Sequence, residues 1–326
     1  MSTIARLKAS RYVSIGAAAA GALLLAWSLR TFGTANVINN VRRLGAGFIV
    51  IVALGGLRHL VRSIAWRLCF DDPATLSIGD SVAAYISGDA IGNVTPFGIF
   101  ASEPSKIVLV RRRAGATTTI PALALENAFY GLSVVAMLGT GTIALLIAFD
   151  VTRTMRAASL VVLGGGVAGV IALYALARWR PQSTQPLTHF VARHRDRLWA
   201  IGALEAAYHA AAVLEIWIAL RLITGVTPTL LTAVVLEYVN RTITIVFQFV
   251  PMWLGVDEVG TGTVAAVLGI GGPVGVALAI ARKARVAIWT AVGLALLGIF
   301  RARAGLTTSE HAGGYRRRER IPRTST

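Results

Sequence analysis

Two stretches of the chain place a carboxylate shortly after a helix-breaking proline. The first runs Gly88-Asp89-Ala90-Ile91-Gly92-Asn93-Val94-Thr95-Pro96-Phe97-Gly98 and continues to Glu103, Pro104 and Lys106. The second runs Val250-Pro251-Met252-Trp253-Leu254-Gly255-Val256-Asp257-Glu258. In each, the proline is followed by glycine and then, seven residues after the proline, by glutamate. In each, a basic cluster comes later: Arg111–Arg113 in the first case, Arg282, Lys283 and Arg285 in the second. Proline and glycine stop a helix and free backbone N–H and C=O groups that something must satisfy. A carboxylate at membrane depth costs ~2.5–3.5 kcal/mol on insertion scales, so it needs a partner or a wet cavity. Glu126-Asn127 and the group Glu237, Asn240, Arg241 lie in or beside further apolar runs, with Glu237 and Arg241 at the favourable acid-first helical spacing. Asp89, Glu103, Glu126, Glu205, Glu215, Glu237, Asp257 and Glu258 together point to a polar cavity rather than to scattered salt bridges. In it, Lys106, Arg241 and Arg282 are candidates to hold a phosphate. Asp89, Glu103, Glu126, Glu237 and Glu258 are candidates to hold cationic groups or to shuttle protons.

Other motifs carry less. Glu205 and His209 share one helical face, which suits a metal only if further ligands converge; a buried hydrogen-bonded pair is the simpler expectation. Gly164–Gly169 fits a dinucleotide-binding pattern in spacing alone, because it lies inside an apolar run with no strand before it; glycines so spaced serve close helix packing. Asn93-Val-Thr and Asn240-Arg-Thr match the glycosylation pattern at membrane depth, where no modifying enzyme reaches. There is no Walker loop, no C-x-x-C and no Gly-x-Ser-x-Gly. Cys69 is the one cysteine, so no internal disulfide framework exists. No cofactor is expected.

The elements that must position these residues are membrane helices. The 326 residues are 55% hydrophobic and 14% charged, with a mean hydropathy of +0.67. A soluble domain carries about a quarter charged residues. The net charge of +17 could suggest nucleic acid, but apolar runs near the ~20 residues that span a bilayer recur along the whole length. Unbroken runs fall at about 12–29, 44–68, 119–149, 157–176, 198–223, 229–250 and 274–300. The Pro/Gly-broken stretches, at about 81–103 and 251–272, read as re-entrant or discontinuous helices, tolerated only where they are buried in protein or line a wet cavity. Such interrupted segments at corresponding places in two halves are the best sequence pointer to a transporter-type site. The basic N-terminal tail, the Arg178–Arg197 linker and the basic C-terminal tail are expected on the cytoplasmic side.

The run GDAIGNVTPFGIFASEPSKIVLVRRR, with E-Y-V-N-R at Glu237–Arg241 and VPMWLGVDEVG at Val250–Gly260, resembles the flippase-like membrane domain of the lysylphosphatidylglycerol synthase type. The resemblance covers roughly residues 11–303. Relatives usually carry Pro-Gly-Gly after the threonine of the first motif, where Phe97 replaces one glycine here. In the second motif Met252-Trp253 stands where Gly-Gly is common. The resemblance implies movement of a lipid headgroup between leaflets, and places the family's polar positions at Asp89, Asn93, Glu103, Glu126, Asn127, Glu237, Asn240, Arg241 and Glu258. In fused relatives an aminoacyl-transferase domain follows the membrane part. The roughly 26 residues after Phe300 are too few for such a core, so lysyl transfer by this chain is not expected.

The sequence therefore reads as an all-α polytopic membrane helix bundle with about 7–8 crossings and two re-entrant or broken segments. Its parts are a cytoplasmic basic N-tail (1–11), a membrane domain (12–303) and a disordered basic C-tail (304–326). The expected function is binding and translocation of a polar- or phosphate-headgroup lipid in the plasma membrane, downhill or driven by an ion gradient, without ATP hydrolysis of its own. The residues assigned to the site are Asp89, Asn93, Pro96, Glu103, Lys106, Glu126, Asn127, Glu237, Asn240, Arg241, Pro251, Glu258 and Arg282. Anionic lipid is expected at the basic termini, with a second copy of the chain or a lipid-biosynthesis protein as possible partner. The alternatives are a membrane-embedded lipid-modifying transferase using Asp89 or Glu103, and a non-transporting partner in envelope-lipid synthesis.

Overall fold

The structure, a computed structural model, describes the backbone of residues 3–95, 97–179 and 181–318, and side chains from residue 16 to 299 except 17–18, 96, 99, 177, 180–184 and 186. Pro96 and the side chains of both tails thus lie outside the described residues. Among the described residues there is no strand. The elements are α1 (Thr3–Phe32), α2 (Thr34–Arg43), α3 (Phe48–Leu68), α4 (Ile78–Val94), α5 (Ile99–Val110), α6 (Ala116–Ala148), α7 (Arg153–Trp179), α8 (Pro181–Arg193), α9 (Arg195–Thr224), α10 (Leu230–Val246), α11 (Val256–Val267) and α12 (Gly272–Arg318). Six of the seven runs expected to be unbroken are helical over nearly their whole length, whereas the one at 229–250 leaves the helix after Val246 and turns. Four helices among the described residues are long and apolar enough to cross a membrane alone: Gly45–Leu68, Ala116–Ala148, Arg153–Leu176 and Arg195–Thr224. α10 is shorter, at 17 residues, and α12 is interrupted by Arg282, Lys283 and Arg285. The backbone expected to be a disordered tail is helical from residue 304 to Arg318. Extending an existing helix adds one hydrogen bond per residue fixed, with no new nucleation cost.

The broken stretch at 81–103 belongs to a helix hairpin in which α4 ends at Val94 and the chain returns as α5. The one at 251–272 is only the second half of another hairpin: its first arm is α10, expected to be an unbroken span, which ends at Val246, after which the chain passes through the short turn Pro251–Trp253 and returns as α11. Ser77 caps α4 by accepting from the Asp80 N–H at 3.1 Å, and Thr229 caps α10 by accepting from Thr232 N–H at 3.2 Å. The hairpin tips touch: Phe97 N–H donates to the Gln248 carbonyl at 3.2 Å, and the Phe97 and Phe249 rings lie 6.2 Å apart. At these tips Phe97, Met252 and Trp253 have φ of 51°, 51° and 52°. The non-glycine positions named above therefore take the left-handed conformation in which glycine costs least.

Around the hairpins, α3 packs on α9 and α4, and α12 runs against α4 and α11. Gly56 lets Trp289 of α12 lie close on α3, and the Trp289 indole donates to the Val52 carbonyl at 2.9 Å. The outer surface is apolar, with Leu23, Ile49, Phe100, Ile147 and Val161 exposed, as befits a bundle whose solvent is lipid. α7 is the most peripheral span, with 6% of its apolar window buried against 50% for α9. Of its glycine cluster, Gly166 meets Val135 and Leu138 of α6, while Gly164, Gly165 and Gly169 face open space. Trp179 and Trp199, both exposed, bracket the basic linker at the ends of α7 and α9, where interfacial aromatic residues belong.

Candidate functional site

A cavity of about 390 Å³ opens where the two hairpins meet α3, α6, α9 and α12. Arg58, His59 and Arg62 of α3 enter it from mid-helix, Arg58 lying ten residues from either end, or about 15 Å at 1.5 Å per residue. The first hairpin supplies Asp89, Asn93, Glu103 and Lys106. The second supplies Asn240, Arg241, Gln248, Pro251, Met252, Trp253 and Asp257. α6 adds Asn127 and Tyr130, α9 adds Tyr208, and α12 adds Arg282, Lys283, Arg285 and Trp289.

Nine of the residues singled out from the sequence thus line one cavity: Asp89, Asn93, Glu103, Lys106, Asn127, Asn240, Arg241, Pro251 and Arg282. Three lie one layer behind it. Glu126, fully buried, accepts from Arg62 Nε at 2.5 Å. Glu237 accepts from Arg241 Nε at 2.7 Å and from the Asn240 amide at 3.1 Å. Glu258, also fully buried, accepts from the Gly255 N–H at 2.8 Å, capping α11, and pairs with Lys283 at 3.2 Å. Glu103 therefore faces the cavity, while Glu258 reaches it only through Lys283. Pro96 lies outside the described residues.

The charges are layered. Among the described lining residues, Arg58, Arg62, Lys106, Arg241, Arg282, Lys283 and Arg285 face three carboxylates, Asp89, Glu103 and Asp257. The neutralising acids Glu126, Glu215, Glu237 and Glu258 stand behind, out of reach of a ligand. Glu215 serves two guanidinium groups, Arg58 at 3.2 Å and Arg285 at 2.8 Å. Buried ions survive only with such partners, and the arrangement leaves the inner surface cationic. Arg282 gives one nitrogen to Asp257 (2.6 Å) and Thr261 (2.7 Å), while its buried Nε and Nη1 have no hydrogen-bond partner among the described residues. Lys283 is tied to the Met252 and Trp253 carbonyls at 3.0 and 3.1 Å, so the strained turn places a cation.

Aromatic rings orient the guanidinium groups. Arg62 lies 3.5 Å from the Tyr130 ring centroid and Arg58 4.6 Å from that of Tyr208. The two phenols accept from Arg241 and Arg58, each at 3.0 Å. Sequence reasoning missed these tyrosines, since Tyr is ordinary within a membrane span. Arg58, His59 and Arg62 were likewise given no role, although three ionisable groups inside one apolar run were a usable signal. Glu205 and His209 are not hydrogen-bonded to each other as expected; each instead reaches the Ser133 hydroxyl, which lies 3.4 Å from Glu205 Oε2 and 3.1 Å from His209 Nε2.

Residues 13–295 match the model of a family described as the lysylphosphatidylglycerol synthase TM region. The chain belongs to this family. It is a membrane protein of a lipid-related family, and both hairpins and all lining residues fall inside the matched region. No curated protein and no solved structure matches the chain.

Proposed function

We propose that the cavity binds the phosphate-bearing headgroup of a membrane lipid and passes it between leaflets, with no covalent chemistry by this chain. The observation that carries the reading is the cationic inner wall at mid-span, its neutralising acids held in a second layer. Such a wall offers guanidinium N–H groups to phosphate oxygens, for which planar guanidinium donors are well matched. Acyl chains stay in the bilayer while the headgroup crosses a protein-lined polar route, which removes the main cost of flipping. The touching hairpin tips act as the moving part. Among the described residues they are joined across the cavity's edge by one backbone hydrogen bond and one aromatic contact, a small barrier to separation. In this reading the protein sits in the plasma membrane with both termini and the Arg178–Arg197 linker in the cytoplasm, where basic residues also hold anionic lipid. Transport is downhill or gradient-driven.

Native mass spectrometry of the purified protein tests the binding step. The wild type is expected to retain a phospholipid that Arg282→Gln loses by about tenfold or more, corresponding to roughly 1.4 kcal/mol. Equal retention by both proteins would remove the cavity from the account.

A further inference from the structure

The ion pairs around the cavity are unequal on its two sides. On the first hairpin, Lys106 is enclosed, with 2% of its side chain exposed, and its ammonium lies 3.0 Å from both Asp89 Oδ1 and Glu103 Oε1. The same ammonium stands 3.7 Å from the Tyr85 ring centroid. The remaining carboxylate oxygens are also engaged: Asp89 Oδ2 faces His59 at 3.5 Å, and Glu103 Oε2 accepts from Asn127 at 2.9 Å. Two carboxylates converging on one ammonium over an aromatic face make a site for a cationic headgroup. Here the chain's own lysine fills it. Gly88 makes the room, because a Cβ there would come within 2.5 Å of Lys106 Cγ.

The opposite wall has the reverse imbalance. Asp257 is taken by Arg282, Glu215 is divided between Arg58 and Arg285, and two buried Arg282 nitrogens have no partner among the described residues. We propose that Lys106 is a built-in occupant of the cavity's cation subsite, so that the cavity accepts anionic, hydroxyl-bearing lipid headgroups and rejects ammonium-bearing ones. The inference rests on the reading of the cavity as a headgroup site. A phosphate meets the surplus guanidinium groups. Hydroxyls beyond it donate to the cavity-facing edges of Asp89 and Glu103, whose side chains are 29% and 22% exposed. An incoming ammonium finds these carboxylates already shared with the positive charge of Lys106, and meets the repulsion of Lys106, Arg282 and Lys283. Selectivity here works by repulsion of the wrong ligand as much as by attraction of the right one.

The test reconstitutes the protein with equal amounts of phosphatidylglycerol and phosphatidylethanolamine of identical acyl chains and reads the bound lipids by native mass spectrometry. Wild type is expected to hold the glycerol headgroup over the ethanolamine one by at least about tenfold, a modest figure beside the cost of an uncompensated buried charge. Lys106→Met, which exposes the two acids, is expected to reverse the preference. Should that variant not fold, the neutral triple variant Asp89→Asn, Glu103→Gln, Lys106→Met removes the charges of the subsite while leaving Arg282 and Lys283, and is expected to lower the ratio severalfold without reversing it. A wild type that prefers the ethanolamine lipid, or a triple variant that keeps wild-type discrimination, overturns the proposal. A further arm adds soluble glycerol phosphate. If it displaces the lipid at equal concentration, the lipid reading fails while the exclusion of ammonium ligands stands. If wild type and all variants hold no lipid, both fail.

Discussion

Arg62 gathers the inner layer of the site around one guanidinium. It donates to Glu126 at 2.5 Å, lies on the Tyr130 ring, and comes within 3.9 Å of Glu205. Because the pair is buried, Glu126→Gln leaves the guanidinium only the more distant Glu205 carboxylate as counter-ion and is expected to destabilise the protein by about 3 kcal/mol. Thermal unfolding in detergent should show that loss, and Glu103→Gln, on the partly exposed cavity wall, should show clearly less. A loss from Glu103→Gln as large as that from Glu126→Gln would mean that the two acids do not occupy the two layers described. This residue scale was legible by type but not by pairing. Acids in apolar runs are conspicuous because their burial is costly, which is why Asp89, Glu103, Glu126 and Glu237 stood out. The partner of each was not readable, since Arg58 meets Glu215 across 157 positions and Arg62 meets Glu126 across 64. Local pairs were readable: Glu237 with Arg241 and Glu103 with Lys106 follow from helical spacing alone.

The two hairpins are the elements that give the cavity its edge, and their turns are built under strain. Gly255 has φ +81°, and a Cβ there would come within 2.5 Å of Leu24 Cβ, so α11 starts where only glycine fits against α1. Met252 takes φ 51° without that freedom. Left-handed backbone costs an L-residue roughly 1–2 kcal/mol. Met252→Gly is accordingly expected to raise stability by up to about 1 kcal/mol, and Gly255→Ala to lower it by at least about 2 kcal/mol. Unfolding midpoints of the two variants in one detergent check both signs, and a destabilised Met252→Gly would show that the methionine side chain outweighs the strain. The breaks themselves were visible in the sequence as Pro-x-Gly and Pro-x-x-x-Gly inside apolar runs, and so was their correspondence. The meeting of the tips, through Phe97 and Gln248, was not. It depends on how α3, α9 and α12 hold the hairpins, which no local pattern encodes. The same dependence separates Glu103 from Glu258: the two share a position after proline, yet one faces the cavity while the other turns back to cap α11.

At the scale of the whole molecule, a lipid-facing bundle encloses a charged cavity between two hairpins that meet at their tips. The helical membrane class was evident from composition. The extent of the last helix, which continues to Arg318, was not, since its final turns follow from propagation rather than from apolar pattern. The central claim is that a headgroup passes this cavity when the hairpin tips part. The most direct measurement is lipid translocation in proteoliposomes by the Phe97→Cys/Gln248→Cys variant, before and after treatment with a short thiol-specific reversible cross-linker. The native Cys69 is buried and should not react. Bridging the tips is predicted to reduce translocation to the level of protein-free vesicles and cleavage of the bridge to restore it, with headgroup retention by native mass spectrometry unchanged throughout. Translocation that continues at its full rate with the tips bridged would contradict the account.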